Sequence, residues 1–446
     1  MEGMKKRKNK TSSKQKTLFQ ENENEKDFSQ HFINIWKVAL WGTNHDYILL
    51  QALNKYPSVG DVIRDRGWKG PKGGFNLSGP DEHKHFKWLD EAHYLNADNF
   101  TRYGVDEKHL EVLPNNKRYY RGGDPQTFKT PFVLFKRGQI QRRPGAAFSG
   151  VDFTYTTAMT GIAGPKQDSN LLKALTALLN SDLAQYFWFL ASSSWGVERE
   201  EVTLGELNIL PYPFLEEASN EQIPVIASLV DRLASLNIAQ SKSVPRQYLE
   251  SYETLFDFEE IGNQIITLER ELNNRIFKCF QLSYEEIQLI QETVDYTISF
   301  FNSPEQSLAL QMPSLDTRVF YATTYINSIN FYLLPIGKKL TATVYANENA
   351  PLQAVSFSSQ ELNDKIPDIR ISTPDEHMSQ ALLGLDKLNI EKFSKRMYHR
   401  RIFRIYDNEQ DSFSIVKPAE LRFWTTSAAL SDAEETVTEL LQPMKA

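Results

Sequence analysis

Hydrophobic residues recur at helical spacing in several long stretches of this chain and alternate at strand spacing in others. In 27–56, Phe28, Phe32, Ile35, Trp36, Ala39, Leu40, Tyr47, Leu50 and Leu53 fall near one helical face. Residues 171–190 carry Leu172, Leu175, Leu178, Leu179, Leu183, Tyr186, Phe187 and Leu190, which predicts one amphipathic helix facing a core. A further helix is expected over 222–236, followed by a polar linker at 239–246. Residues 250–300 read as a helical pair in which Ser283 and Glu286 fit an N-cap and its capping-box partner. Between these stretches lie short segments rich in aromatic and β-branched residues, punctuated by Gly, Pro and Asn. Two of them, 131–135 and 147–155, predict strands of a mixed sheet. Alternation returns at 340–346 and 351–357, with one helix expected around 321–333.

The expected architecture is therefore α+β. It comprises a polar tail (1–26), an N-terminal helical segment (27–57), a mixed-sheet domain with packed helices (58–240), a helical linker segment (241–305) and a C-terminal α/β domain (306–446). No internal repeat is evident.

Composition narrows the class. At 446 residues the chain can hold two or three domains, and with 41% hydrophobic and 12% aromatic residues most of it should fold. Cys279 is the only cysteine, which excludes a disulfide framework and a cysteine-based zinc site; it reads as a small buried hydrophobe. No run of 18 apolar residues occurs and the first residues are polar and charged, so no membrane span or signal peptide is expected and the cytoplasm is the default. The net charge of −7 argues against nucleic-acid binding, but its distribution is uneven. Residues 1–160 hold 26 Lys and Arg against 18 Asp and Glu, whereas the rest holds 24 against 39. The tail itself has a basic run at 5–10 and acidic residues at 21–25, and reads as disordered.

Three places suggest chemistry. Lys136, Arg137, Arg142 and Arg143 put four cations into eight residues, with Gln139 among them, on what reads as a Gly-containing loop after an apolar strand. Arg and Gln suit base-edge readout of guanine and adenine, and the cations equally suit phosphate. Lys69 and Lys72 lie in a Gly-rich stretch beside Trp68 and Phe75, reading as a mobile loop able to approach a backbone phosphate or a stacked base. Trp195, Glu198 and Arg199 form a third group, which a helix-closing Trp explains equally well. His83, His85 and His93 invite a metal or nuclease reading, but no second ligand pair with suitable spacing accompanies them.

One resemblance organises these features. The segment NSDLAQYFWFLASSSWGVEREEVTLGELNILPYPF, starting at Asn180, resembles the C-terminal target-recognition region of bacterial adenine-N6 DNA methyltransferases of restriction–modification and phage-defence systems. SVGDVI from Ser58, the helical pair within 250–300, and VKPAELRFWTTSAALSDAEETV from Val416 are similar to segments of the same enzymes. The 446 residues contain neither the Asn/Asp/Ser-Pro-Pro-Tyr/Phe motif that grips the flipped adenine nor a Gly-rich strand–turn–helix for S-adenosylmethionine. The nearest approaches, at 124–128 and 302–305, lack the second proline and its aromatic, and the Gly-rich stretch 67–74 neither follows an apolar strand nor opens a helix. The resemblance thus implies a specificity subunit, not an enzyme by itself. It would bind double-stranded DNA through Lys136, Arg137, Gln139, Arg142, Arg143, Lys69, Lys72 and Arg199, and dock on a separately encoded methyltransferase core that carries S-adenosylmethionine. The alternative is a structural or regulatory component of a defence complex that binds protein and does not read DNA.

Overall fold

Short polar residues start most of the helices. Thr43 and Ser58 each accept a backbone N–H three residues on, while Asp46 and Asp61 reach back to their N–H groups, so helices Asn44–Leu53 and Val59–Asp65 begin with full capping boxes. A first helix, Ile35–Trp41, precedes them, so the helical pattern read over 27–56 is interrupted at Gly42 and Thr43. The computed structural model describes residues 35–79, 82–140, 143–192, 201–242, 252–347, 350–393, 402–407 and 412–441. The tail expected at 1–26 lies outside them.

The first five-stranded sheet runs in the order Lys69–Gly73, Met159–Ala163, Phe132–Ile140, Arg143–Ser149, Tyr103–Gly104. All neighbours are antiparallel except the last pair, which makes the sheet mixed. The period-two alternation of strands sends Val133 and Phe135 into the main core and Phe132 and Leu134 into a smaller one on the opposite face. The helix expected over 171–190 is in fact two, Ser169–Leu179 and Asp182–Ala191. Asn180 makes the break: its amide donates to Ala146 O at 2.8 Å and accepts from Ala146 N at 3.1 Å, pinning the helix end to the sheet. Ser181 then caps the second helix through Ala184 N.

Helices Gln222–Lys242, Tyr252–Cys279 and Tyr284–Glu292 complete this half, with Ser283 and Glu286 forming the expected capping box and Cys279 buried. One core joins Leu50 and Leu53 from the first helices, Leu178 and Trp188 from the middle, and Leu272 and Ile290 from the last ones. The boundaries drawn at 57/58 and 240/241 therefore fall inside a continuous core.

The C-terminal part holds the second five-stranded sheet, ordered Ile369–Ser372, Lys338–Tyr345, Leu352–Glu361, Ser412–Pro418, Phe403–Asp407, with only the first pair parallel. Helices Leu315–Leu333 and Thr426–Leu441 cover one face through Tyr321, Tyr325, Ala429 and Ala433. The terminal motif has a packing role here. Lys417 is buried, with Nζ donating to Phe423 O and to Asp432 and lying 4.5 Å from the Tyr321 ring. Burial holds its pKa below the usual lysine value, against the pull of Asp432. The Trp424 indole N–H meets Pro418 O at 2.9 Å. Glu292 ties the two halves together by accepting Thr426 N at 2.7 Å and Ser427 N at 2.8 Å, capping that helix from outside.

Candidate nucleic-acid interface

The cation-rich stretch after Phe135 is strand, not loop. Strand Phe132–Ile140 continues through Lys136 and Arg137 and pairs with Arg143–Ser149, with Lys136 opposite Gly145 and Ile140 opposite Arg143. Neighbouring residues of a strand face opposite ways, so the cations are shared between the faces. Lys136 donates to Ala97 O at 2.9 Å and lies 6.0 Å from the Phe100 ring. Arg137 pairs with Glu201 at 3.2 Å. Arg143 sits 3.7 Å from both Asp182 and Glu269. Arg142, Trp195, Glu198 and Arg199 lie outside the described residues, as does the side chain of Gln139.

Arg143 belongs to a charged cleft of about 690 Å³, between the turn end of this hairpin and helix Tyr252–Cys279. Arg102, Arg143 and Arg270 face Asp182, Glu269 and Asp295 across it. Arg102 pairs with Glu269 at 2.7 Å and Tyr103 donates to the same carboxylate at 2.9 Å. Burial raises the pKa of Asp182 and of Asp295, and Arg143 opposes both shifts. Three guanidiniums balanced by three carboxylates form a brace that holds the hairpin to the long helix. It offers no net charge to a phosphate.

Lys69 and Lys72 also differ from the loop expected for them: they lie on edge strand Lys69–Gly73, both exposed. The chain leaves this strand through Phe75, and Asn76 bridges to Arg121, which leads into a small module. The module's core is Phe75, Leu89, Leu113 and Tyr119, and its surface is a short antiparallel ribbon pairing Lys84 with Tyr119 and His85 with Arg118. Lys84, Lys87, Lys117, Arg118 and Arg121 are exposed on it, and none of them, nor Lys69 or Lys72, is ion-paired among the described residues. Aromatic rings are interleaved. Arg121 lies 4.9 Å from the Tyr120 ring, Lys117 lies 5.8 Å from the Tyr119 ring, and Phe86 and Trp88 pack 5.1 Å apart.

These five ribbon cations were not singled out from the sequence. The available signal was the alternation of cations with aromatics in KHFKW (84–88) and KRYYR (117–121). The histidines nearby are engaged locally: His85 pairs with Asp90 at 2.8 Å and His83 meets Leu77 O at 3.0 Å. Among the described residues, no group of three or more His, Cys, Asp or Glu is placed to hold a metal ion. No described helix is long and apolar enough to cross a membrane. Compared with protein-family models and with curated proteins, the chain matches neither.

Proposed function

We propose that this chain is a DNA target-recognition subunit that acts with a separately encoded adenine-N6 methyltransferase core. The observation that carries the reading is the set of exposed cations on the edge strand and the ribbon, Lys69, Lys72, Lys84, Lys87, Lys117, Arg118 and Arg121, which have no ion pair among the described residues and on the ribbon alternate with aromatics. Cations of this kind can neutralise phosphates, which releases counterions and drives binding to a polyanion. A two-stranded ribbon also fits the major groove of duplex DNA, where base edges can be read. In this reading the ribbon and edge strand face DNA, and the hairpin cations brace the scaffold behind them. S-adenosylmethionine and the adenine-gripping motif belong to the partner.

A second reading, a protein-binding component of a defence complex, draws support from exposed apolar residues on the first helix. Ile35 is 63%, Trp36 85% and Leu40 64% exposed there. The two readings separate on one experiment: co-expression with the methyltransferase core, followed by base-resolution mapping of N6-methyladenine. Methylation in one sequence context that disappears when this chain is omitted supports the specificity role. Methylation unchanged by its omission would sink it and leave the protein-binding role.

A further inference from the structure

Trp88 is an exposed aromatic that the small module holds in place. Its neighbour Leu89 is fully buried in the module core, and its indole N–H donates to Gly122 O at 3.3 Å. Phe86 packs against it with rings tilted by 55°. Gly122 must be glycine for this packing, since a Cβ there would lie 2.6 Å from the Phe86 ring and 2.9 Å from the Trp88 ring. The polar edge is therefore satisfied inward while 45% of the residue stays open to solvent. Lys117 and Arg121 lie over Tyr119 and Tyr120, but among the described residues no cation lies over Trp88. Lys84 and Lys87, both exposed, precede it in the chain by four residues and by one.

A fixed, half-exposed indole, with exposed ammonium groups one and four residues before it in the chain and no ion pair on them among the described residues, matches one ligand chemistry: an unstacked base on a phosphate backbone. Every base has a π-face, so stacking tolerates any sequence, while the cations hold the adjoining phosphates. We infer that Trp88 is a stacking platform for an unpaired base within duplex DNA. The inference rests on the DNA reading above and extends it. Methylation of adenine N6 requires the adenine out of the helix, which leaves its partner base unpaired and its neighbours unstacked. A recognition subunit that stacks on a base freed in this way lowers the cost of extrusion by the catalytic core.

The test uses the purified chain and two duplexes that differ at one position. In one, 2-aminopurine pairs with thymine; in the other it faces an abasic site. Binding by fluorescence anisotropy should be about tenfold tighter for the second duplex, with quenching of the 2-aminopurine emission on binding. Trp88→Ala should lose the preference and the quenching. Trp88→Phe, which keeps an aromatic against Phe86, should retain part of both and guards against a folding defect in the alanine variant. Equal affinity of the wild type for both duplexes, or a preference that survives Trp88→Ala, overturns the stacking role and leaves the DNA reading standing. Absence of binding to either duplex overturns both.

Discussion

The hairpin and the ribbon carry similar numbers of cations in similarly short stretches, yet they do different physical work. Arg137 and Arg143 on the hairpin each have a carboxylate within 4 Å, and Lys136 is held by a carbonyl oxygen. The ribbon cations have aromatic rings and solvent around them, with no ion pair among the described residues. A charge already matched at close range has little left to offer a phosphate, because binding DNA would first require breaking the internal pair. Density of Lys and Arg along a sequence is thus a poor guide to a polyanion site. The supply of carboxylates from distant elements decides it.

The comparison breaks most visibly at Glu269. Glu269→Ala leaves Arg102, only 12% exposed, and the Tyr103 hydroxyl without their shared carboxylate. Removing one partner of such a buried pair should cost about 3 kcal/mol of unfolding free energy in denaturant titrations. A loss below about 1 kcal/mol would show that the cleft is not a brace. Next in size, the triple change Lys84→Ala, Lys87→Ala, Arg118→Ala should flatten the slope of log affinity for DNA against log salt by about 2–3, since each phosphate contact contributes about 0.9. The same variant should keep its stability within about 1 kcal/mol, as expected for exposed sites. An unchanged slope would remove the ribbon from the interface.

Arg137→Ala is a smaller test of the other side. Its pair with Glu201 is partly exposed, so the change should cost no more than about 1 kcal/mol and alter DNA affinity less than twofold. A large drop in affinity would place the hairpin in the interface after all. A pH-dependent test concerns Lys37, a buried cation whose Nζ donates to Phe189 O at 2.9 Å. Burial lowers its pKa from 10.5 to about 8, with Glu206 opposing the shift. Between those values the unfolded chain holds a proton that the native state has released, so this group makes stability rise with pH from about 8 towards 10.5. Unfolding free energy measured at pH 7.5 and 9.5 should show that rise in the wild type relative to Lys37→Met. Parallel pH dependence in the two proteins would mean that Lys37 titrates normally.

Element type was legible where one local rule prevailed. Helical spacing together with Ser283 and Glu286 located helix Tyr284–Glu292, and alternation located strands Lys338–Tyr345 and Leu352–Glu361. Periodicity misled where a side chain reached out of its own element. Residues 171–190 hold an unbroken apolar face, and only the bond from Asn180 to Ala146, 34 residues away, ends the first helix. The Gly-rich stretch at Lys69 has the composition of a loop, and pairing with Met159–Ala163 makes it a strand.

By itself the sequence determined the α+β class, the single buried cysteine, the uneven charge and the capped helix starts, because propensity, period and capping act over a few residues. The tertiary structure decided which cations are free. Glu201 is 64 residues from Arg137, and Glu269 is more than 100 from Arg143. Coulomb attraction depends on distance through space, and the fold alone brings those carboxylates to the hairpin cations, whereas the ribbon lysines and arginines have no ion pair among the described residues.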